Sequence, residues 1–167
     1  MEVHGGRTDS AVLVPLFTDE HDRLHAVFTK RRDDLRRHAG EISFPGGRRD
    51  DGETLVETAL REAHEEIGLP PHAVDVIGAL APVGTFVTNY AIYPFVGVIE
   101  PGFEWVVHER EVDEVLEFKL TDLIASHSTK RLVRRGLAFR TDVYELGGAM
   151  IWGATARILA DLLTRVG

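Results

Sequence analysis

Glu62, Glu65 and Glu66 stand at i, i+3 and i+4 of a stretch, LVETALREAHEEIGL, with helical periodicity. All three carboxylates therefore share one helix face. Like charges at that spacing repel, so the cluster costs stability unless a cation sits among them. Hard divalent cations favour oxygen ligands of this kind, and Mg²⁺ takes a few carboxylates together with water and substrate phosphates. Most acidic runs are solvated helix faces. This one is flanked by an apolar stripe of Val56, Ala59, Leu60, Ala63 and Ile67, which faces a core. The carboxylates border that stripe and are expected to line a cleft. Asp50, Asp51 and Gly52 suit a loop leading into the helix, and Gly68 followed by Pro70-Pro71 ends it.

Just upstream, Arg31, Arg32, Arg36 and Arg37 gather guanidinium groups in a chain whose net charge is −8. Arginine offers phosphate oxygens a bidentate fork. A solvated basic loop and a nucleic-acid patch are the competing explanations, and the net acidity and the lack of interleaved aromatics argue against nucleic acid. Gly46-Gly47 after Pro45 lets backbone approach closely, and a carbonyl there is a further candidate metal ligand.

Residues 47–69 resemble the Nudix box, G-x5-E-x7-R-E-U-x-E-E-x-G-U, where U is apolar. Gly47, Glu53, Arg61, Glu62, Glu65, Glu66 and Gly68 fall on its specified positions, and Ala63 and Leu69 on its apolar ones. Residues 27–47 resemble the signature that precedes the box in coenzyme A pyrophosphatases, through Thr29, Arg31, Arg36, Gly40, Phe44, Pro45, Gly46 and Gly47. Arg32 stands where that signature has a small Ser or Ala, and Val27 and Phe28 where it has leucines. Looser similarity to the same subfamily runs through residues 82–99, 109–124 and 151–163.

The resemblance implies a Nudix fold, an α/β/α sandwich with a mixed central sheet, over residues 1–167 as one domain. It implies a hydrolase that uses Mg²⁺ or Mn²⁺, held by Glu62, Glu65, Glu66 and the Gly46 carbonyl. Arg31, Arg36, His38, Gly40, Phe44 and Gly47 become the substrate-binding set, with a structural histidine the alternative for His38. Coenzyme A would be cut to 3′,5′-ADP and 4′-phosphopantetheine. Another nucleoside diphosphate derivative such as ADP-ribose, or a non-catalytic nucleotide-binding module, are the competing functions. The box also implies that Arg61 pairs with Glu53 and pins the loop. The general base comes either from the box, where Glu53 is the candidate, or from a later loop. In HEREVDE (108–114) Glu111 aligns with a family glutamate and is preferred to Glu109 and Glu114.

Composition agrees with one soluble α/β domain. The chain has 167 residues, 44% of them hydrophobic, enough for one sizeable core. It has no cysteine, which excludes disulfides, a thiol nucleophile and cysteine zinc sites. No apolar run reaches membrane-spanning length, and MEVHGGRTDS does not read as a signal peptide. A cytoplasmic protein with a small-molecule substrate, no nucleic acid and no membrane partner is expected, with room for a homodimer.

Strands are expected at 11–17, 24–30, 74–80, 91–99, 115–120 and 137–146, with a short extended piece at 41–44. A short helical turn is expected from Thr121-Asp122 and a last helix over 151–166. His21 and His25 fall in a hairpin, which argues against a metal pair. His64 reads as exposed. For Trp152, core packing and base stacking both remain open.

Overall fold

The computed structural model describes residues 8–32, 40–85, 89–134 and 136–166. Its centre is β1 (Thr8–Thr18), followed by β2 (Leu24–Arg31), β3 (Ile42–Ser43), β4 (Gly46–Arg48) and α1 (Leu55–Ile67). Then come β5 (Asp75–Ala79), β6 (Val83–Gly84), β7 (Tyr90–Val98), β8 (Val112–Lys119) and α2 (Leu120–Ser126). The chain ends with β9 (His127–Arg134), β10 (Leu137–Leu146), β11 (Ala149–Ile151) and α3 (Gly153–Val166).

β1 runs parallel to β7 from Thr8↔Tyr90 to Leu16↔Val98. Its other edge is shared: β4 takes residues 10–12 and β2 takes residues 16–18, both antiparallel. Pro15 falls in the gap between those partners, where a missing N–H costs no ladder bond. Pro94 of β7 likewise falls between β6, which pairs at Ile92, and β5, which pairs at Phe95. β8 extends the sheet beyond β2. The sheet is mixed, as expected.

Alternation along β1 divides two cores. Ala11, Leu13 and Phe17 face α1 with Ala59, Ala63 and Ile67. Val14 and Leu16 face the other way, against Phe28, Leu123 of α2 and Ile158, Leu159 and Leu162 of α3. The expected helix–sheet–helix layering is therefore present. Among the described residues no helix is long and apolar enough to cross a membrane.

The second sheet and the last helix differ from the sequence reading. β9 was not expected, because HSTKRLVR has no apolar alternation and its side chains are almost all exposed. Its strand character comes from pairing with β10, from His127↔Tyr144 to Arg134↔Leu137. The last helix starts at Gly153 rather than Ile151, which belongs to β11. The turn between β10 and β11 is Gly147-Gly148, both at positive φ, as a two-residue hairpin of this kind requires.

The fold depends on close approach at Gly46. A Cβ there would overlap the Ala11 carbonyl oxygen and the Val12 side chain. Gly46→Ala is expected to lower unfolding free energy by about 1–3 kcal/mol, the usual cost of overpacking. Urea unfolding monitored by circular dichroism measures it; an unchanged midpoint would show that β4 shifts freely.

Candidate active site

The helix that carries the carboxylates is fixed at both ends. Thr54 caps it, its hydroxyl accepting from the Glu57 N–H (3.2 Å) while the Glu57 carboxylate accepts from the Thr54 N–H (2.8 Å), a reciprocal capping box. Gly68 ends it at φ 74°, donating to the His64 carbonyl (3.0 Å). Between these stops, the stripe that buries Ala59, Ala63 and Ile67 turns Glu62 and Glu66 toward β4.

Arg61 compensates the charge. Its Nε donates to Glu53 Oε2 (2.6 Å) and Nη2 to Glu53 Oε1 (3.1 Å). Nη1 reaches Glu62 and Glu65, each at 3.2 Å, and Nη2 donates to the Arg48 carbonyl (3.1 Å). The paired Arg61 guanidinium, with help from the Asp50 amide and the Thr58 hydroxyl, holds the Glu53 carboxyl down to about 2. Glu53 thus ties the entry loop to the helix, the pairing that the box implied.

Glu62 and Glu66 behave differently. Glu66 is only 8% exposed, and burial, with the nearby Glu62 carboxylate next, pushes its pKa up to about 9. Burial also pushes Glu62 up, though its hydrogen bond with Glu66 and the Arg61 charge work against this. Burial therefore favours a proton on Glu66, whose carboxyl hydrogen-bonds Glu62. The Gly46 amide also hydrogen-bonds Glu66. A Cβ on Gly47 would overlap the Glu62 carboxylate, so only glycine lets this strand lie against these side chains.

Among the described residues, no three metal-ligating side chains already surround one point. Glu65, the most exposed of the three, is turned to Arg61. The donor set still suits a hard divalent cation: two adjacent carboxylates whose burial favours protonation are a place where a cation can replace the proton.

Glu111 lies in the exposed turn before β8, and its charge adds to the upward push on Glu66. That turn is held by Arg32, whose Nη1 donates to the Glu109 carbonyl (2.7 Å) and whose amide donates to the Glu111 carbonyl (3.1 Å). The arginine that departs from the small residue of the signature thus ties the end of β2 to the loop carrying Glu111. Sequence reasoning missed this role, because the two segments are distant in the chain.

A cleft of about 1510 Å³ opens beside the glycine pair. Arg31, Gly40, Gly46 and Gly47 line it. The Phe44 ring also borders it, but is only 2% exposed and stacks on Phe28 with centroids 4.6 Å apart. Phe44 therefore supports the cleft wall more than it presents a surface. Gly40 closes its turn at φ 71° with its amide toward the Arg31 carbonyl (3.2 Å). Arg36 and His38 lie outside the described residues. Cations from the second sheet and α3, Arg134, Arg140 and Arg157, share the lining. The run KRLVRRGLAFR (130–140) carries the sequence signal for Arg134 and Arg140.

The Nudix domain model matches residues 7–137. The uncharacterized Nudix hydrolase NudL of Enterobacter sp. (strain 638) is 37% identical over 164 residues, covering 96% of this chain and 84% of that protein. The chain belongs to the Nudix family and is an enzyme of this pyrophosphatase class. Solved structures agree in fold. A MutT/nudix family protein from Enterococcus faecalis superposes with TM-score 0.68 at 15% identity, covering 99% of this chain and 64% of its own. The Nudix domain of Shewanella oneidensis NrtR, complexed with ADP ribose, gives 0.65 at 14% identity, covering 98% and 91%. Nudix hydrolases generally work with divalent ions such as Mg²⁺ or Mn²⁺.

The proton on Glu66 makes a prediction for the metal-free protein. The pKa of Glu66 in the folded state lies above its unfolded value of 4.5, so its protonation favours folding. That contribution is complete below pH 4.5 and is lost as pH rises toward about 9, with a slope of up to about 1.4 kcal/mol per pH unit. Urea midpoints in chelator at pH 5, 7 and 9 should fall along the series for the wild type and much less for Glu66→Gln. Parallel curves would show that Glu66 is not the titrating group.

Proposed function

We propose that the protein hydrolyses the pyrophosphate of coenzyme A or its acyl derivatives, releasing 3′,5′-ADP and (acyl-)4′-phosphopantetheine. The observation that supports this best is Arg31. Its Nε is buried at the wall of a cleft fit for a long ligand, yet has no hydrogen-bond partner among the described residues. An unsatisfied buried guanidinium N–H costs free energy, and a phosphate oxygen would satisfy it. The cleft also brings several arginines together in a chain of net charge −8, which concentrates positive potential where a polyanion would lie.

Glu62, Glu65 and Glu66, with the Gly46 carbonyl, would hold Mg²⁺ or Mn²⁺, which when bound neutralises phosphate oxygens and acidifies a coordinated water. The rest falls to the chain itself. Arg61 and Glu53 hold the carboxylate helix on its loop. Gly46 and Gly47 leave room for phosphate against backbone. Arg31 binds and orients an anionic oxygen. Glu111, free of the clamp that occupies Glu53, accepts the proton of the attacking water at its carboxylate.

Two measurements test this. With Mg²⁺ present, kcat/KM for coenzyme A is expected to exceed that for dephospho-coenzyme A, ADP-ribose and nucleoside triphosphates. A single charge-assisted contact to the extra phosphate would contribute about 1.5–3 kcal/mol. Equal values for coenzyme A and its dephospho form would remove the 3′-phosphate from the recognition.

Glu111→Gln is expected to lower kcat by roughly 10²–10⁴-fold with the urea midpoint unchanged. Glu53→Gln should instead lower stability by loosening the Arg61 clamp. Loss of kcat in Glu53→Gln with wild-type kcat in Glu111→Gln would place the base in the box.

A further inference from the structure

Trp152 sits in the turn between β11 and α3, half-buried, in the wall that the second sheet contributes to the cleft. It is not packed as core filler. The Arg134 guanidinium lies over its ring, with Cζ 4.9 Å from the centroid. The Phe139 ring flanks it, with centroids 5.9 Å apart and planes inclined by 37°. Its indole N–H has no hydrogen-bond partner among the described residues. Arg140 and Arg157 line the same part of the cleft.

Aromatic rings and guanidinium planes are the surfaces on which nucleobases stack, and every base offers a π-face. A pantetheine arm offers none. Cations beside such a shelf suit phosphates attached to the base through ribose. We propose that Trp152, with Arg134 and Phe139, forms the base-stacking shelf of this enzyme, and that Arg140 and Arg157 favour the phosphates of the same nucleotide. The inference deepens the proposed function, since it takes the substrate to be an adenine nucleotide derivative.

The shelf explains why the arginines of the second sheet gather at an otherwise exposed strand. It also explains why the turn into α3 is fixed, the Gly153 amide donating to the Thr141 hydroxyl (2.9 Å). Trp152 is thereby held between two anchored elements. Its role is to determine specificity at a distance from the carboxylates, so its loss should act on binding.

The chain has two tryptophans, which allows a direct reading. Trp105 lies against Phe103, and its indole N–H donates to Glu117 (2.8 Å). In Trp105→Phe, Trp152 is the sole tryptophan fluorophore. ADP and 3′,5′-ADP are expected to quench its emission saturably, and inorganic pyrophosphate is expected not to. In the kinetics, Trp152→Ala should raise KM for coenzyme A about tenfold or more, with kcat changed by less than about twofold. Trp152→Phe should recover most of the loss.

Absent quenching by both adenine nucleotides, or equal quenching by pyrophosphate, would overturn the shelf. So would a wild-type KM in a folded Trp152→Ala. Quenching by adenine nucleotides in a protein that does not hydrolyse coenzyme A would support the shelf and overturn the proposed substrate. Coenzyme A hydrolysis without quenching would do the reverse.

Discussion

Three carboxylates on one face of a helix, two of them drawn into its buried side, would not be tolerated without Arg61. Its guanidinium touches Glu53, Glu62 and Glu65 and also binds the Arg48 carbonyl. A single planar cation thus satisfies acceptors from the strand before the helix, the loop and the helix itself. Lysine could not do this, since it lacks the rigid fork. The clamp also separates two kinds of carboxylate. Glu53 is held ionised by its hydrogen bonds, whereas Glu62 and Glu66 are pushed by burial toward holding a proton. The same residue type occupies both environments, and the environment decides what each can do.

The glycine pair of β4 is the complement of that clamp. Gly46 lets the strand press on β1, and Gly47 lets it press on Glu62. Strand and helix meet through a carboxylate rather than through apolar side chains, so this part of the interface is reactive rather than adhesive. The apolar contacts that hold α1 lie on its neighbouring face, with Ala59, Ala63 and Ile67.

Much of this was legible in the sequence because it is local. The spacing of Glu62, Glu65 and Glu66 gave the acidic helix face, the apolar stripe gave its orientation, and Gly68 gave its end. Alternation and turn residues located β1, β2, β7 and β10. What was not legible depends on contacts between distant segments. β9 has no pattern of its own and exists through its pairing with β10. Arg32 looked like a departure from a motif, and its bond to the Glu109 carbonyl joins positions 77 residues apart. Trp152 could be read two ways, because an apolar-looking helix start does not reveal that a guanidinium from another strand will cover the ring. Arg36 and His38 lie outside the described residues.

The parallel pairing of β1 with β7 has a consequence for how the chain reaches its native state. The middle strand of the sheet is made first, but its long partner begins at Tyr90. A nascent polypeptide therefore carries an apolar segment, AVLVPLF, whose principal ladder cannot close until most of the domain has left the ribosome. Pairing of high sequence separation pays loop-closure entropy before it gains any contact, and it folds slowly. The early β1–β2 hairpin, closed by Asp19 accepting from the His21 and Arg23 amides, covers only one end of that strand. Until β7 arrives, the other edge is exposed to intermolecular pairing.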